Sequence, residues 1–303
     1  MTFTLLRKII AVAAPLRTPA QTAAIELYET IRTRDLLSVI PAQVLSLRDE
    51  IFSGLPAEMT DQDRFEVVRS LATRLYAEID PKDEYTRITD ANHSNAVWGL
   101  LLKMEPGADI ALQVAALFHD LERFIPEVKT PYLKSDTDVE AFKVADEKVR
   151  KLAIHPENSA RLLGILLDGA PLTEAEKQKA LFLVRHHDAA RKEIKVADRV
   201  LLPGVGPDND YYGDLGALGD ADAGIFFDVT VKIFVEDRVP KEGRAKIAER
   251  INMNFMRIQP QNREAVWALI ERKWGADEDL ISIIREGIES RGDAYGSPRK
   301  AST

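Results

Sequence analysis

The sequence predicts an all-α protein, on three observations. Apolar residues recur at three- and four-residue spacing along much of the chain, as at Phe65, Val68, Leu71 and Leu75, which is typical of amphipathic helices. The alternating patterns that indicate strands are almost absent. The breaks between periodic stretches hold Pro, Gly, Asp and Asn, the residues that begin and end helices.

Composition limits the classes of protein to consider. The 303 residues are 45% hydrophobic, enough for one large domain or a core domain with helical extensions. The net charge of −8 indicates no general affinity for nucleic acid or anionic lipid. Because the chain has no cysteine, any metal must be bound by imidazole and carboxylate groups.

The chain has no apolar run near the roughly 20 residues that span a bilayer. Arg7 and Lys8 precede a short apolar stretch at 9–16, which we expect to form an ordinary terminal helix rather than a secretory leader. We therefore expect a cytoplasmic protein that binds neither membranes nor nucleic acid duplexes.

Three regions are predicted along the chain. Residues 1–60 form an N-terminal helical extension, 61–235 the central helical domain, and 236–303 a set of C-terminal helices. In the last region Ile251 and Phe255 share one helix face. We expect this helix to pack on the core or to form a homodimer contact, and we find no chemical motif in the tail.

The elements of the central domain follow from their boundaries. "DPKDEYTRITDAN" is predicted to be a loop, with Thr89 or Asp90 capping a helix that begins at His93. Asp109 is predicted to cap the next helix, which continues through "FHDLERF". A further helix is expected around 139–151.

Residues typical of helix starts and ends also mark the boundaries in the second half of the domain. Pro156 suits a first helical turn, Gly169 follows a helix end, and Thr173 with Glu176 has the spacing of a capping box. The Gly- and Pro-rich stretch 202–219 is predicted to be a loop. Its tyrosines could close over a substrate, and a hairpin within 201–215 is the expected exception to the all-α pattern.

The histidines are concentrated in one part of the chain. All five lie between residues 93 and 187, on or at the start of predicted helices, and one is followed by Asp120 and another by Asp188. Buried polar groups without partners are costly, and helices of a bundle can direct side chains to one internal site. A metal ion would satisfy these polar groups. The histidines are His93, His119, His155, His186 and His187.

This order of residues resembles a known family. His93, the pair His119-Asp120 and then Asp222 are similar to the His…His-Asp…Asp signature of the HD superfamily of metal-dependent phosphohydrolases. "HPENSARLL" and "RHHD" resemble the extended version of that signature, which holds two metals. The resemblance covers about residues 85–235 and implies an all-helical HD-domain bundle.

The resemblance also implies a ligand set and a cofactor. It assigns the first metal to His93, His119, Asp120 and Asp222. It assigns the second to Asp120, His155, His186 and His187. The cofactor would be two divalent ions per chain, drawn from manganese, iron, nickel, cobalt and magnesium.

Two aspartates compete for one of these positions. Asp220 and Asp222 both stand in "GDADA", and residues two apart on a helix point about 200° apart. Only one of them can face the site, and we favour Asp222. Asp188 is expected to orient an imidazole from behind.

The implied activity is hydrolysis of a phosphomonoester or phosphodiester of a small molecule, nucleotides included, by water that two metals activate. Asp120 would be central to catalysis. Arg123 and Arg185 lie within a helical turn of the ligands and are expected to bind phosphate. Glu122 is expected to be either a general acid or base or a solvated, salt-bridged residue. The Gly-Tyr-Pro element of the cyclic-dinucleotide branch is missing after "RHHD", so that substrate is not inferred.

Two alternatives remain open at the level of sequence. Diiron oxygenases of the same fold use the same ligand set to cleave a C–C or C–P bond. A non-catalytic module would use the metals for structure or for sensing a ligand. The doubled histidine favours hydrolysis, and the complete ligand set favours an enzyme.

Overall fold

The computed structural model describes residues 17–78, 84–125, 128, 149–189 and 191–289. Within these ranges the chain forms twelve α-helices and one two-stranded sheet, which confirms the predicted all-α class. Among the helices searched, none combines the length and the apolar character that crossing a membrane requires. The helix predicted at the N-terminus and most of the one around 139–151 lie outside the described residues.

The first half of the chain contributes five helices and a short turn. The helices are α1 (Pro19–Thr33), α2 (Ala42–Phe52), α3 (Asp61–Glu78), α4 (Glu84–Met104) and α5 (Ile110–Phe118). A 3₁₀ turn, Leu121–Phe124, follows α5.

The second half begins with a π-helical segment, Arg150–Ile154, that runs directly into α6. The elements that follow are α6 (His155–Leu166), α7 (Glu174–His186), β1 (Ile194–Val196), β2 (Arg199–Leu202) and α8 (Tyr212–Ile225). A second π-helical segment, Phe226–Thr230, leads into α9 (Val231–Glu242), α10 (Arg244–Arg257), α11 (Pro260–Trp274) and α12 (Glu278–Glu289).

Several predicted helix boundaries are confirmed. The side chain of Asp109 accepts a hydrogen bond from the amide of Leu112 at 2.9 Å, at the start of α5. Thr173 and Glu176 form the predicted capping box of α7. Gly169 lies just beyond α6 with a φ of 74°, in the left-handed region that favours glycine.

Four predicted elements are wrong in their extent. The segment 84–92 is helical rather than a loop, because it contains no Pro or Gly that would interrupt α4. Helix α5 ends at Phe118, before the His-Asp pair. The hairpin occupies 194–202 rather than 201–215, and the predicted loop is shorter because α8 already begins at Tyr212.

The helices pack around one main core. Helix α4 packs on α5 and α8, and α7 packs on α5 and α6. Fully buried side chains such as Leu71, Leu101, Leu117 and Phe118 fill the space between them. This arrangement brings the ends of α5 and α7, the start of α6, the middle of α4 and the last turn of α8 to one region.

The C-terminal helices form a second apolar cluster. Phe227, Ile251, Ile270 and Ile284 are buried within it, and α10 also contacts α8 of the main core. The predicted domain boundaries at residues 60 and 235 remain predictions.

Candidate metal centre

The His119-Asp120 pair lies where a helix ends. Helix α5 stops at Phe118, and the pair forms the turn into Leu121–Phe124. The last carbonyls of a helix have no partner within it, and Nδ1 of His119 donates to one of them, the oxygen of Ala116, at 2.9 Å. A carbonyl can only accept, so Nδ1 carries a proton and Nε2 is the atom free for a ligand.

A second turn repeats this construction at the end of α7. His187 and Asp188 follow the last helical residue, His186. Nδ1 of His187 donates to the oxygen of Val184 at 2.7 Å. Its Nε2 atom is turned toward Asp120, whose Oδ1 lies 3.6 Å away. Two His-Asp turns, from the ends of two packed helices, therefore meet at one carboxylate.

Two groups of side chains among the described residues could hold a metal ion, and the first joins His93, His119 and Asp222. Nε2 of His93 lies 3.1 Å from Oδ1 of Asp222 and 3.2 Å from Nε2 of His119. Nε2 of His119 lies 3.8 Å from the same Asp222 oxygen. Metal–ligand bonds of about 2.0–2.2 Å place neighbouring ligand atoms roughly 3–4 Å apart. The distances thus suit three ligands of one ion.

The carboxylate of Asp120 connects this group to the second one. Its Oδ2 lies 3.5 Å from Nε2 of His119 and 3.7 Å from Nε2 of His93. Its Oδ1 lies 2.8 Å from Nε2 of His155 and 3.6 Å from Nε2 of His187. Asp120, His155 and His187 form the second candidate group. One carboxylate therefore offers an oxygen to each group.

A buried carboxylate lies behind His155. Nδ1 of His155 is 2.7 Å from Oε2 of Glu122, which is only 3% exposed. The amide of Glu122 donates to the hydroxyl of Ser159 at 3.2 Å, on the same helix as His155. A carboxylate in this position orients a metal-binding imidazole and raises its basicity. Glu122 is thus buried and salt-bridged to His155 rather than solvated, and this contact places it to position that ring.

Burial and charge set different protonation states for the imidazoles. Burial lowers the pKa of His119 to about 4, so this ring is neutral at pH 7. Burial also opposes the charged forms of His155 and His187, but nearby carboxylates outweigh it. Asp120 and Glu122 raise the pKa of His155 to about 9, and Asp188 and Asp120 raise that of His187 to about 10.

The carboxylates respond in the opposite direction. Burial raises the pKa of Asp120, but the charge of Arg123 and the surrounding imidazoles outweigh it and hold the pKa well below its usual range. The pKa of Asp222 is lowered in the same way, against burial, by His93 and Arg257. Without metal, the site therefore balances ionised carboxylates with imidazolium groups. A bound cation would displace those protons.

The buried atoms of the second group support a cation at this place. Among the described residues, Nε2 of His187 and Oδ2 of Asp188 have no hydrogen-bond partner, although both are buried. They lie 3.3 Å apart, and buried polar atoms are normally satisfied. Imidazole nitrogens and carboxylate oxygens suit iron, manganese and related divalent ions. The residues present fit one ion in each group, and Asp188 offers an additional oxygen to the second.

The structure separates the two neighbouring aspartates. Asp222 belongs to the first metal group, as favoured from the sequence. Asp220 is turned away and accepts hydrogen bonds from the backbone amide of Gln259 at 2.8 Å and the side chain of Asn262 at 2.6 Å. Asp222 therefore contributes to the candidate metal centre, whereas Asp220 binds the turn after α10.

It also separates the two neighbouring histidines. His186 was expected to bind the second metal, but it lies outside both groups. Its ring stacks on Phe182 with centroids 4.4 Å apart, and burial lowers its pKa to about 4. Neighbouring helical positions point about 100° apart, so His186 cannot share the orientation of His187.

Only one of the two predicted arginines reaches the ligands. Nη1 of Arg123 lies 2.8 Å from Oδ2 of Asp120. Arg185 instead pairs with Glu157, its Nε atom 2.7 Å from Oε2, and lines a groove of about 560 Å³ that contains none of the candidate ligands.

The structure brings one residue to the centre that sequence reasoning missed. Nη2 of Arg257, the last residue of α10, lies 3.3 Å from Oδ2 of Asp222 and 3.7 Å from Oδ1 of Asp188. No local pattern marks Arg257, because its role depends on the packing of α10 against α8. The C-terminal region, where we found no motif, therefore contributes to the centre.

The tyrosines expected in a substrate lid have packing roles. The guanidinium of Arg191 lies over the ring of Tyr212, 3.7 Å from its centroid. The ring of Tyr211 packs on Phe182 with centroids 5.3 Å apart. Both rings therefore already have partners where α8 begins.

Comparison of the chain with protein-family models, with curated proteins and with solved structures finds no match. The buried His and Asp groups are compatible with an HD-type site. The interpretation of the centre therefore depends on its own geometry and on the order of its residues in the sequence.

Proposed function

We propose that the chain is an HD-type metal-dependent phosphohydrolase with two divalent ions. It would hydrolyse a phosphomonoester or phosphodiester of a small molecule, with nucleotides among the candidates. The observation that carries the proposal is the carboxylate of Asp120, whose two oxygens face two separate groups of imidazoles. Ions bound in both groups would lower the pKa of a water molecule and stabilise negative charge on phosphoryl oxygens.

Hydrogen bonds within the chain orient the candidate ligand atoms. The carbonyl oxygens of Ala116 and Val184 hold Nδ1 of His119 and His187, and Glu122 holds Nδ1 of His155. In each ring Nε2 is directed into the centre. Ligands fixed in this way need little rearrangement when metal and substrate bind, which favours catalysis over loose metal association.

Access from solvent supports an enzymatic rather than a purely structural centre. The side chains of His93, His155 and Asp222 are 17%, 14% and 15% exposed, so they lie at an opening rather than in a closed core. Arg123, 37% exposed, lies beside Asp120 at this opening. A guanidinium at such a place suits phosphoryl oxygens, which it can bind through two parallel hydrogen bonds.

The test is hydrolysis by manganese-loaded protein of a panel of phosphomonoesters and phosphodiesters, measured by phosphate or alcohol release. Asp120→Asn should lower the rate by roughly 10³-fold, because metal-ion stabilisation of the transition state is worth several kcal/mol. Asp237→Asn provides the matched control. Asp237 is an exposed carboxylate on α9 that pairs with Lys241, so its loss should leave the rate unchanged.

Two outcomes would contradict the proposal. Equal rates for native protein and Asp120→Asn would show that the hydrolysis does not depend on the centre. Oxygen consumption by iron-loaded protein, without phosphoester hydrolysis, would identify the oxygenase class instead.

A further inference from the structure

Arg257 lies at the edge of the metal centre but comes from the C-terminal helices. Its side chain is 33% exposed, and its Nη2 atom is 3.3 Å from Asp222 and 3.7 Å from Asp188. These are long contacts to two carboxylates, rather than a tight bidentate pair with one. A guanidinium has five N–H donors, and both of these contacts are made by Nη2, so the other nitrogens do not take part in them.

The position of Arg257 is fixed by the neighbouring turn. Two residues further along, the backbone amide of Gln259 donates to Oδ1 of Asp220 at 2.8 Å, and its side-chain amide donates to Oδ2 at 2.9 Å. Asp220 is 1% exposed and belongs to α8, the helix that also carries Asp222. The turn after α10 is thus tied to the helix that supplies a metal ligand.

A second residue completes this connection. Arg191 lies within 3.4 Å of the side-chain oxygen of Gln259 and donates to the carbonyl of Tyr212 at 2.9 Å. It passes so close to Gly216 that a Cβ atom there would collide with its guanidinium. These contacts hold the turn after α10, and with it Arg257, in one place. An arginine that interacted only with solvent would need no such support.

We infer that Arg257 is a substrate-binding residue, which holds a phosphoryl oxygen opposite Arg123 and makes the C-terminal helices part of the site. This inference rests on the proposed function. Arg123 contacts Oδ2 of Asp120, the oxygen that faces the first metal group, and Arg257 contacts Oδ2 of Asp222, a member of that group. Two guanidiniums thus lie beside that group, and both are partly exposed, at 37% and 33%. A phosphoryl group bound there would need charge-assisted hydrogen bonds.

The test measures binding of inorganic phosphate to manganese-loaded protein by isothermal titration calorimetry, together with manganese content. Arg257→Gln should retain the native manganese content and weaken phosphate binding about 10- to 100-fold, the effect of losing a charged hydrogen bond. Arg257→Lys should be intermediate, because lysine keeps the charge but not the planar fork. Arg250→Gln is the matched control. Arg250 lies on the same helix and pairs with Glu242, so its removal should change affinity less than twofold.

Three outcomes would overturn the inference. Native affinity for phosphate in Arg257→Gln would do so while leaving the proposed hydrolase intact. Loss of manganese from Arg257→Gln would show that Arg257 is a counter-ion of the ligand carboxylates. Absence of phosphate binding to native, fully loaded protein would count against both the inference and the proposed function.

Discussion

At the scale of single residues, a hydrogen bond to one atom of a side chain determines which other atom is available to a metal. His119 and His187 each donate from Nδ1 to the carbonyl oxygen three residues earlier. Both rings therefore direct Nε2 inward from a helix end. Asp220 and Asp222, two positions apart on α8, divide between holding the turn at Gln259 and forming the first metal group. A shift of two positions along α8 thus separates a candidate ligand from a support.

The protonation of the second group predicts how the metal-free protein responds to pH. The pKa values of His155 and His187 rise from 6.5 to about 9 and about 10 in the folded chain. Protonation of these rings therefore stabilises the fold fully below about pH 6.5, and that stabilisation is lost as the pH rises through 9 to 10. Between pH 6.5 and pH 10, we expect the free energy of unfolding of chelator-treated protein to fall by roughly 2 kcal/mol or more.

Urea unfolding at several pH values measures this loss. His187→Gln serves as the control, because it removes one of the two titrating groups and should make the decline shallower. A native profile that is flat between pH 6.5 and pH 10, or parallel to that of the variant, would contradict the assigned charge state.

At the scale of elements, helix α8 has close neighbours at some of its glycines and none at others. Gly216 faces Arg191 and Gln259, and a Cβ atom would meet both of their side chains. Gly219, one turn further, has no atom within 4 Å of the position that a Cβ would take. Close neighbours therefore require a glycine at 216 but not at 219, although nothing in the sequence distinguishes the two positions.

Alanine substitutions at the two positions test this difference through their effects on stability. Gly216→Ala should destabilise the protein by roughly 1–3 kcal/mol, because it forces Arg191 out of its packed position. Gly219→Ala should stabilise it by roughly 0.5–1 kcal/mol, as expected for a helical glycine with free space around it. Thermal unfolding of both variants checks the pair. Equal effects of the two substitutions would mean that the contact between Arg191 and Gly216 carries no energy.

Elements with local signals were predictable from the sequence. The cap of α5 at Asp109 and the capping box of α7 depend on residues within one helical turn, and both are confirmed. The start of α4 was missed because Thr89 and Asp90 resemble caps, whereas uninterrupted helix-compatible residues carry the helix through them. The hairpin was misplaced because strands of three and four residues leave hardly any alternating pattern to detect.

At the scale of the whole molecule, the centre is assembled from distant parts of the chain. His93 on α4, the turn after α5, His155 on α6, the turn after α7 and Asp222 on α8 converge because these helices share one core. Their order along the chain was readable from the sequence. The contribution of Arg257 was not, because it follows from the packing of α10 against α8, for which no residue pattern exists.

The central claim is that the chain holds two metal ions, connected by Asp120. Elemental analysis of protein purified anaerobically without added metal tests it most directly. We expect close to two ions per chain, retained in His186→Gln, whose ring lies outside both groups, and reduced toward one in His187→Gln. A native content of zero or one that reconstitution cannot raise would contradict it. Equal losses in the two histidine variants would contradict the assignment of the second group.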